Sequence, residues 1–138
     1  MDKPSYYYIG CFFDKEEEER ILDRRQGPVL EHPIEPLHLT VEYMPEQVDA
    51  SLFGTVVEVT VTGYGNDGRN EGFRVEVCSA DADVQRMLDS VEVPHITLSR
   101  AEDAASVDTK FLVFDTIEPF SVKGRFGAYL RNHGPVTS

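Results

Sequence analysis

Two short stretches, PLHLTV at residues 36–41 and PHITL at 94–98, decide how this sequence is read. Both run Pro, His, apolar, Thr, apolar, with one extra Leu in the first. Side chains two apart on a strand share a face, so His38 and Thr40 point one way while Leu37, Leu39, Val41 and Tyr43 point the other. His95, Thr97 and Ser99 likewise oppose Ile96 and Leu98. The chain has 4 histidines and 8 threonines. Two His-x-Thr spacings would arise in roughly 2% of shuffles, so the flanking context has to carry the motif.

Working outward, each motif follows a predicted helix, and the halves of the chain repeat. Tyr6–Phe13 reads as an aromatic-rich strand, and Asp14 with Glu17 caps a helix running to about Gln26, closed by Gly27 and Pro28. Glu16–Glu19 suit the positive end of that helix and read as a solvated face. After the first motif, Val56–Tyr64 and Gly72–Val77 form a hairpin around GNDGRNEG, with Gly63, Gly65, Gly68 and Gly72 read as turn residues. A second helix spans Asp81–Val91, with Val84, Met87, Leu88 and Val91 on one stripe. The second motif lies on a strand over Pro94–Ser99, and Lys110–Phe114 and Phe120–Leu130 supply the last strands, parted by Pro119. Tyr6, Asp14, His38 and Gly63 mark the first set of elements; Phe73, Asp81, His95 and Gly124 mark the second. The expected fold class is α+β, built from duplicated β-α-β-β halves about a pseudo-twofold axis with the two motif strands facing across a cleft.

The chain is 138 residues long, which suits one domain spanning 1–138. Its longest strongly apolar run, at 6–13, is too short to span a bilayer and lacks the flanks of a secretory signal. Net charge is −12, with the excess of acid confined to residues 1–109, so long nucleic acid held by its phosphates meets general repulsion. The expected partner is therefore small and anionic; DNA and membrane surfaces are excluded, and the chain is expected to act as a monomer. Cys11 and Cys78 sit in apolar runs without metal-ligand spacing and read as buried free thiols of a cytoplasmic protein. No cofactor or metal is called for, and His32 and His133 lack a Thr partner.

Paired histidines suit metal-independent phosphoester chemistry. One takes a proton from the attacking oxygen, the other gives one to the leaving oxygen, and both titrate near neutrality. Threonine hydroxyls supply donors for the non-bridging oxygens. Ser99 shares the His95 face and is a candidate phosphate contact; Tyr64, in the glycine-rich loop, is a candidate base-stacking residue. Lys123, Arg125 and Arg131 make the tail locally basic.

HLT at 38–40 and HIT at 95–97, on this repeated scaffold, resemble the 2H phosphoesterase superfamily. The sequence looks most like its stand-alone, tRNA-ligase-type cyclic phosphodiesterase branch. The resemblance implies a bilobal fold with a central cleft, His38 and His95 as the acid/base pair, and Thr40 and Thr97 as phosphate donors. It further implies hydrolysis of 2′,3′-cyclic phosphate ends of RNA, or of small cyclic or 2′-5′-linked nucleotides, with His95 as base and His38 as acid. Pseudo-symmetry allows those roles to exchange with substrate orientation. The alternatives are a phage-type degrader of cyclic oligonucleotide signals and a nucleotide-binding protein without catalysis.

Overall fold

β1 (Tyr6–Phe12) alternates Ile9 and Cys11, which are buried in the core, with Tyr8, Gly10 and Phe12, which face the other side of the sheet. These features come from a computed structural model, which describes residues 6–131 and 133–138. Asp14 caps α1 (Lys15–Leu22) by accepting the Glu17 N–H at 3.0 Å. The helix buries Ile21 and ends four residues earlier than expected, because the chain after it turns to carry Arg25 to the buried carboxylate of Glu71. The acidic first turn is not merely solvated. Glu17 accepts the Lys123 N–H and pairs with Arg20, and Glu18 accepts the Leu37 N–H at 2.8 Å, tying the helix to the residue before His38.

β2 (His32–Pro33) is a two-residue strand with no counterpart in the sequence reading, followed by β3 (His38–Tyr43). β4 (Val56–Asn66) and β5 (Asn70–Cys78) form the expected hairpin. α2 (Ala82–Asp89) is capped by Asp81, which accepts the Val84 N–H at 3.0 Å, and buries Val84 and Leu88. After β6 (His95–Arg100), a 3-10 helix occupies Ser106–Phe111 where a strand over 110–114 was expected. β7 (Asp115–Leu130) then runs straight through Pro119. Its register against β4 jumps from Val61↔Phe120 to Gly63↔Thr116, so the proline, which has no N–H to give, falls in the unpaired interval. β8 (Gly134–Val136) adds to β7.

All eight strands join one antiparallel sheet, whose main path is β2-β6-β5-β4-β7-β1-β3. The strands β1, β3 and β4 precede the hairpin turn; β5, β6 and β7 follow it. Exchanging β1 with β5, β3 with β6 and β4 with β7 turns the order β6-β5-β4-β7-β1-β3 into its own reverse, while β2 and β8 stand outside this relation. Both motif strands carry a bulge at the same place, three residues past the histidine. Ile9 and Gly10 oppose Glu42 and Thr40, leaving Val41 unpaired; Glu71 and Gly72 oppose Ser99 and Thr97, leaving Leu98 unpaired.

A glycine faces each motif threonine. A Cβ at Gly10 would overlap the Leu39 carbonyl oxygen, and one at Gly72 would come within 2.6 Å of the Ile96 carbonyl oxygen. Their neighbours across the ladders are Gly127 and Gly65, so the corresponding glycines are Gly65 and Gly127 rather than Gly63 and Gly124. Only Gly68 of the four supposed turn glycines sits in the turn, with φ +85°; Gly63, Gly65 and Gly72 are strand residues. One face of the sheet packs Val57, Val59, Val61, Phe73, Ile96, Leu39 and Phe126 with Ile21 and Leu88 of the helices. Cys11 is buried there, but Cys78, at the end of β5, is exposed. Among the described residues no helix is long and apolar enough to cross a membrane.

Candidate functional site

β3 and β6 share no ladder hydrogen bonds, yet they lie against one another and bring His38 and His95 into one neighbourhood. Both rings are half-buried. Each is oriented the same way: Nδ1 of His38 lies 2.9 Å from the Pro36 carbonyl oxygen, and Nδ1 of His95 lies 2.8 Å from the Val93 carbonyl oxygen. A carbonyl only accepts, so in each neutral ring Nδ1 carries the proton and Nε2 keeps its lone pair for a ligand. Burial lowers the proton affinity of His38, against the Pro36 hydrogen bond, and the charge of nearby His95 lowers it further. His95 is lowered by burial, against its Val93 bond, and by the Lys110 ammonium.

The surroundings of the two rings differ. His38 stands opposite Phe12 in the β1 ladder and stacks on Tyr8, ring centres 4.6 Å apart, while Tyr8 stacks in turn on Tyr129 at 5.2 Å. Burial, then the neighbouring Tyr129, Tyr43 and Tyr7, push the Tyr8 phenol far above its ordinary range, so it stays neutral. A cavity of about 830 Å³ opens beside His38 between Tyr7, Tyr8 and Tyr43 on one side and the 100–107 loop on the other. Arg100 braces that loop by donating to the carbonyls of Ala101, Glu102 and Ala104. His95 instead stands opposite Arg74 in the β5 ladder. The Arg74 guanidinium leans over Gly63 toward Phe114, where a Cβ on Gly63 would crowd it.

Of the threonines, Thr40 is half-buried and no other described residue holds its hydroxyl. Thr97 is buried and bonded to Thr109 and Ser106. Ser99 and Tyr64 do not join the histidines. The bulge at Leu98 turns Ser99 away from the His95 face: its hydroxyl donates to Glu71 and accepts the Leu30 N–H. Tyr64 donates to the same Glu71 at 2.6 Å and packs edge-on against Phe73, with Arg25 completing the cluster. Both oxygens of that fully buried carboxylate are thus held by the chain, and this is a clamp between the hairpin, β6 and the loop after α1. These bonds place Tyr64 and Ser99 in the Glu71 cluster and not beside the histidines.

The basic tail residues are also dispersed: Arg131 lies over the Tyr7 ring, Arg125 donates to the Gly54 carbonyl and Lys123 lines a separate cavity with Glu17 and Glu58. Among the described residues no three His, Cys, Asp or Glu side chains cluster to hold a metal ion. Tyr8 and Lys110 are the neighbours that the sequence reading missed. The tyrosine was legible in principle, since Tyr8 and Phe12 share a strand face, but its meeting with His38 depends on which strands pair. No protein-family model matches the chain, and no curated protein is significantly similar to it in sequence.

Proposed function

We propose that the chain is a phosphodiesterase of the 2H type that opens 2′,3′-cyclic phosphates or small cyclic nucleotides with His38 and His95 as its acid/base pair. The observation that carries this reading is the matched pair of rings, each fixed by a carbonyl two residues upstream, on two strands that lie together and exchange under the reversal of the sheet order. The shared bulges, caps and glycines support descent from a duplicated β-α-β-β unit with the motifs facing one cleft.

In the proposed step, Nε2 of His95 takes a proton from water as the water oxygen bonds to phosphorus. The bond from phosphorus to the 3′ oxygen breaks, and the His38 imidazolium gives that oxygen its proton. The product is a 2′-phosphomonoester with a free 3′-hydroxyl, and the two histidines have exchanged protonation states. Burial and Lys110 favour the neutral form that a base needs at His95. His38 gains its proton when the phosphate anion binds beside it, because an opposite charge favours the cation.

The test is incubation with 2′,3′-cyclic mononucleotides, cyclic oligonucleotides and cyclic-ended RNA in EDTA, with products resolved by chromatography. Turnover that persists in EDTA and vanishes in the His38→Ala, His95→Ala double variant is expected. Tight binding without turnover would replace this reading with that of a nucleotide-capturing protein. Activity abolished by EDTA and restored by a divalent metal would overturn the two-histidine mechanism.

A further inference from the structure

The two motifs are alike in sequence but not in what their threonines are free to do. Among the described residues, none holds the Thr40 hydroxyl. Thr97 is 5% exposed, with its Oγ1 2.8 Å from Thr109 Oγ1 and 3.2 Å from the Ser106 carbonyl oxygen. Asn70 Nδ2 donates to Thr109 Oγ1 at 3.3 Å and to the Ala105 carbonyl at 2.8 Å, extending the chain of bonds. A hydroxyl has one proton, and that of Thr97 is spent inside the protein. Turning it to a ligand would strip a partner from a buried polar group.

That same network holds the 3-10 helix against β6 and so places the residue after Thr109. Lys110 forms no ion pair among the described residues, although acids outnumber Lys and Arg by 25 to 13 in this chain. Lys110 is half-buried, and its Nζ lies 5.1 Å from the centre of the exposed Phe111 ring. The helix that carries Lys110 is held to β6 by the bond between Thr109 and Thr97, two residues from His95, and the lysine's charge lowers the proton affinity of that ring. A cation without a carboxylate, beside one of two paired imidazoles, is placed to receive an anion.

We propose that Lys110, rather than Thr97, holds the non-bridging oxygen of the ligand's phosphate on the His95 side, with Thr40 serving the His38 side. This rests on the phosphoester reading given above. Thr97 is then a positioning residue, which fixes the 3-10 helix and through it Lys110. The grip on the phosphate is asymmetric, a neutral hydroxyl on one side and an ammonium on the other, and its strength falls with ionic strength.

The experiment is a titration with inorganic phosphate, followed by NMR of the His38 and His95 ring resonances in the wild type and in Lys110→Met, Lys110→Arg, Thr40→Val and Thr97→Val. In the wild type, phosphate is expected to move both rings. Lys110→Met should weaken binding about tenfold or more, as loss of a charge-assisted bond does, and Lys110→Arg should restore most of it. Thr97→Val, if folded, keeps the ammonium but loses the bonds that place its helix, so it should weaken binding less than Lys110→Met does and leave the fall of binding with ionic strength in place; a loss larger than that of Lys110→Met would give the phosphate contact back to Thr97 and overturn the proposal. Phosphate binding to Lys110→Met as tightly as to wild type would overturn the proposal, and that variant alone decides should Thr97→Val fail to fold. Phosphate that moves neither ring in the wild type would instead overturn the phosphoester reading, and this proposal with it.

Discussion

At the scale of single residues, the two histidines share a hydrogen-bond pattern but not an environment. Removing either imidazole should lower turnover of a cyclic nucleotide by ~10²- to 10⁴-fold, the worth of a positioned acid or base. The rings are half-buried and their Nδ1 partners are backbone carbonyls, so both His38→Ala and His95→Ala should keep the native circular dichroism spectrum. A folded single variant with near-full activity would remove that residue from the mechanism. The pH dependence follows from the same surroundings. Both proton affinities lie below the ordinary histidine value of ~6.5, and the reaction needs one ring charged and one neutral. The profile of kcat/KM should therefore be a bell with its maximum below about pH 6.5; a maximum above pH 7.5 would contradict the assignment. Stability moves with pH as well. Below about pH 6.5 the unfolded chain binds protons that the folded rings resist, so stability declines as pH falls from there to the folded-state values and levels off beneath them. Urea melts at pH 7.5 and pH 5.5 should show a smaller acid loss in His38→Gln than in the wild type.

At the scale of elements, the motif strands depend on glycines that contribute nothing to chemistry. Gly10 lies against the Leu39 carbonyl with no room for a methyl group, and Thr40 faces it across the ladder. Gly10→Ala should cost about 1–3 kcal/mol, as overpacking does, read as a lower urea midpoint at unchanged slope. A substitution that left the midpoint in place would mean that β1 and β3 do not approach as closely as described. Much of this architecture is legible in the sequence. The caps at Asp14 and Asp81, the hairpin and the motif strands all follow from local chemistry, because a cap or an alternating run needs only its neighbours in sequence. What local pattern does not carry is a change of face. The bulge at Leu98 moves Ser99 from the histidine side to the Glu71 cluster, and nothing in the alternating run His95–Ser99 announces it. The strand expected over 110–114 failed for a similar reason: Leu112, Val113 and Phe114 lie over Gly65 and Gly63, and Thr109 lies over Gly72, so that three missing side chains make a floor for the 3-10 helix and the residues after it. Glycines that read as a turn were the signal for that packing. Long-range electrostatics is equally silent in the sequence, and Lys110 became a neighbour of His95 only once the chain was folded.

At the scale of the whole molecule, the reversal of strand order carries a consequence for connectivity. The exchange that takes β4 to β7 and β5 to β1 takes the hairpin turn between β4 and β5 to a link between β7 and β1 that the chain does not have. Yet β7 and β1 are paired as closely as β4 and β5, with Tyr6 opposite Leu130 and Gly10 opposite Gly127. If the two halves are equivalent, it should matter little which of these two connections is covalent. A circular permutant that joins the present ends through a flexible linker of about eight Gly and Ser residues, and opens the chain between Asp67 and Gly68, tests this directly. The turn is a suitable place to cut, since Asp67 and Gly68 are exposed and exposed loop tips are where permutation succeeds. The cut does cost the hydrogen bonds that the Asp67 carboxylate accepts from the N–H groups of Arg69 and Asn70. The permutant should therefore fold cooperatively with a stability lowered by a few kcal/mol at most, and it should still move both His38 and His95 resonances on addition of phosphate. A permutant that folds but loses the coupled response of the two histidines would separate the fold from the site. One that fails to fold would show that the β4–β5 turn is a nucleus for which the β7–β1 pairing cannot substitute, and the equivalence of the halves would hold for their topology alone.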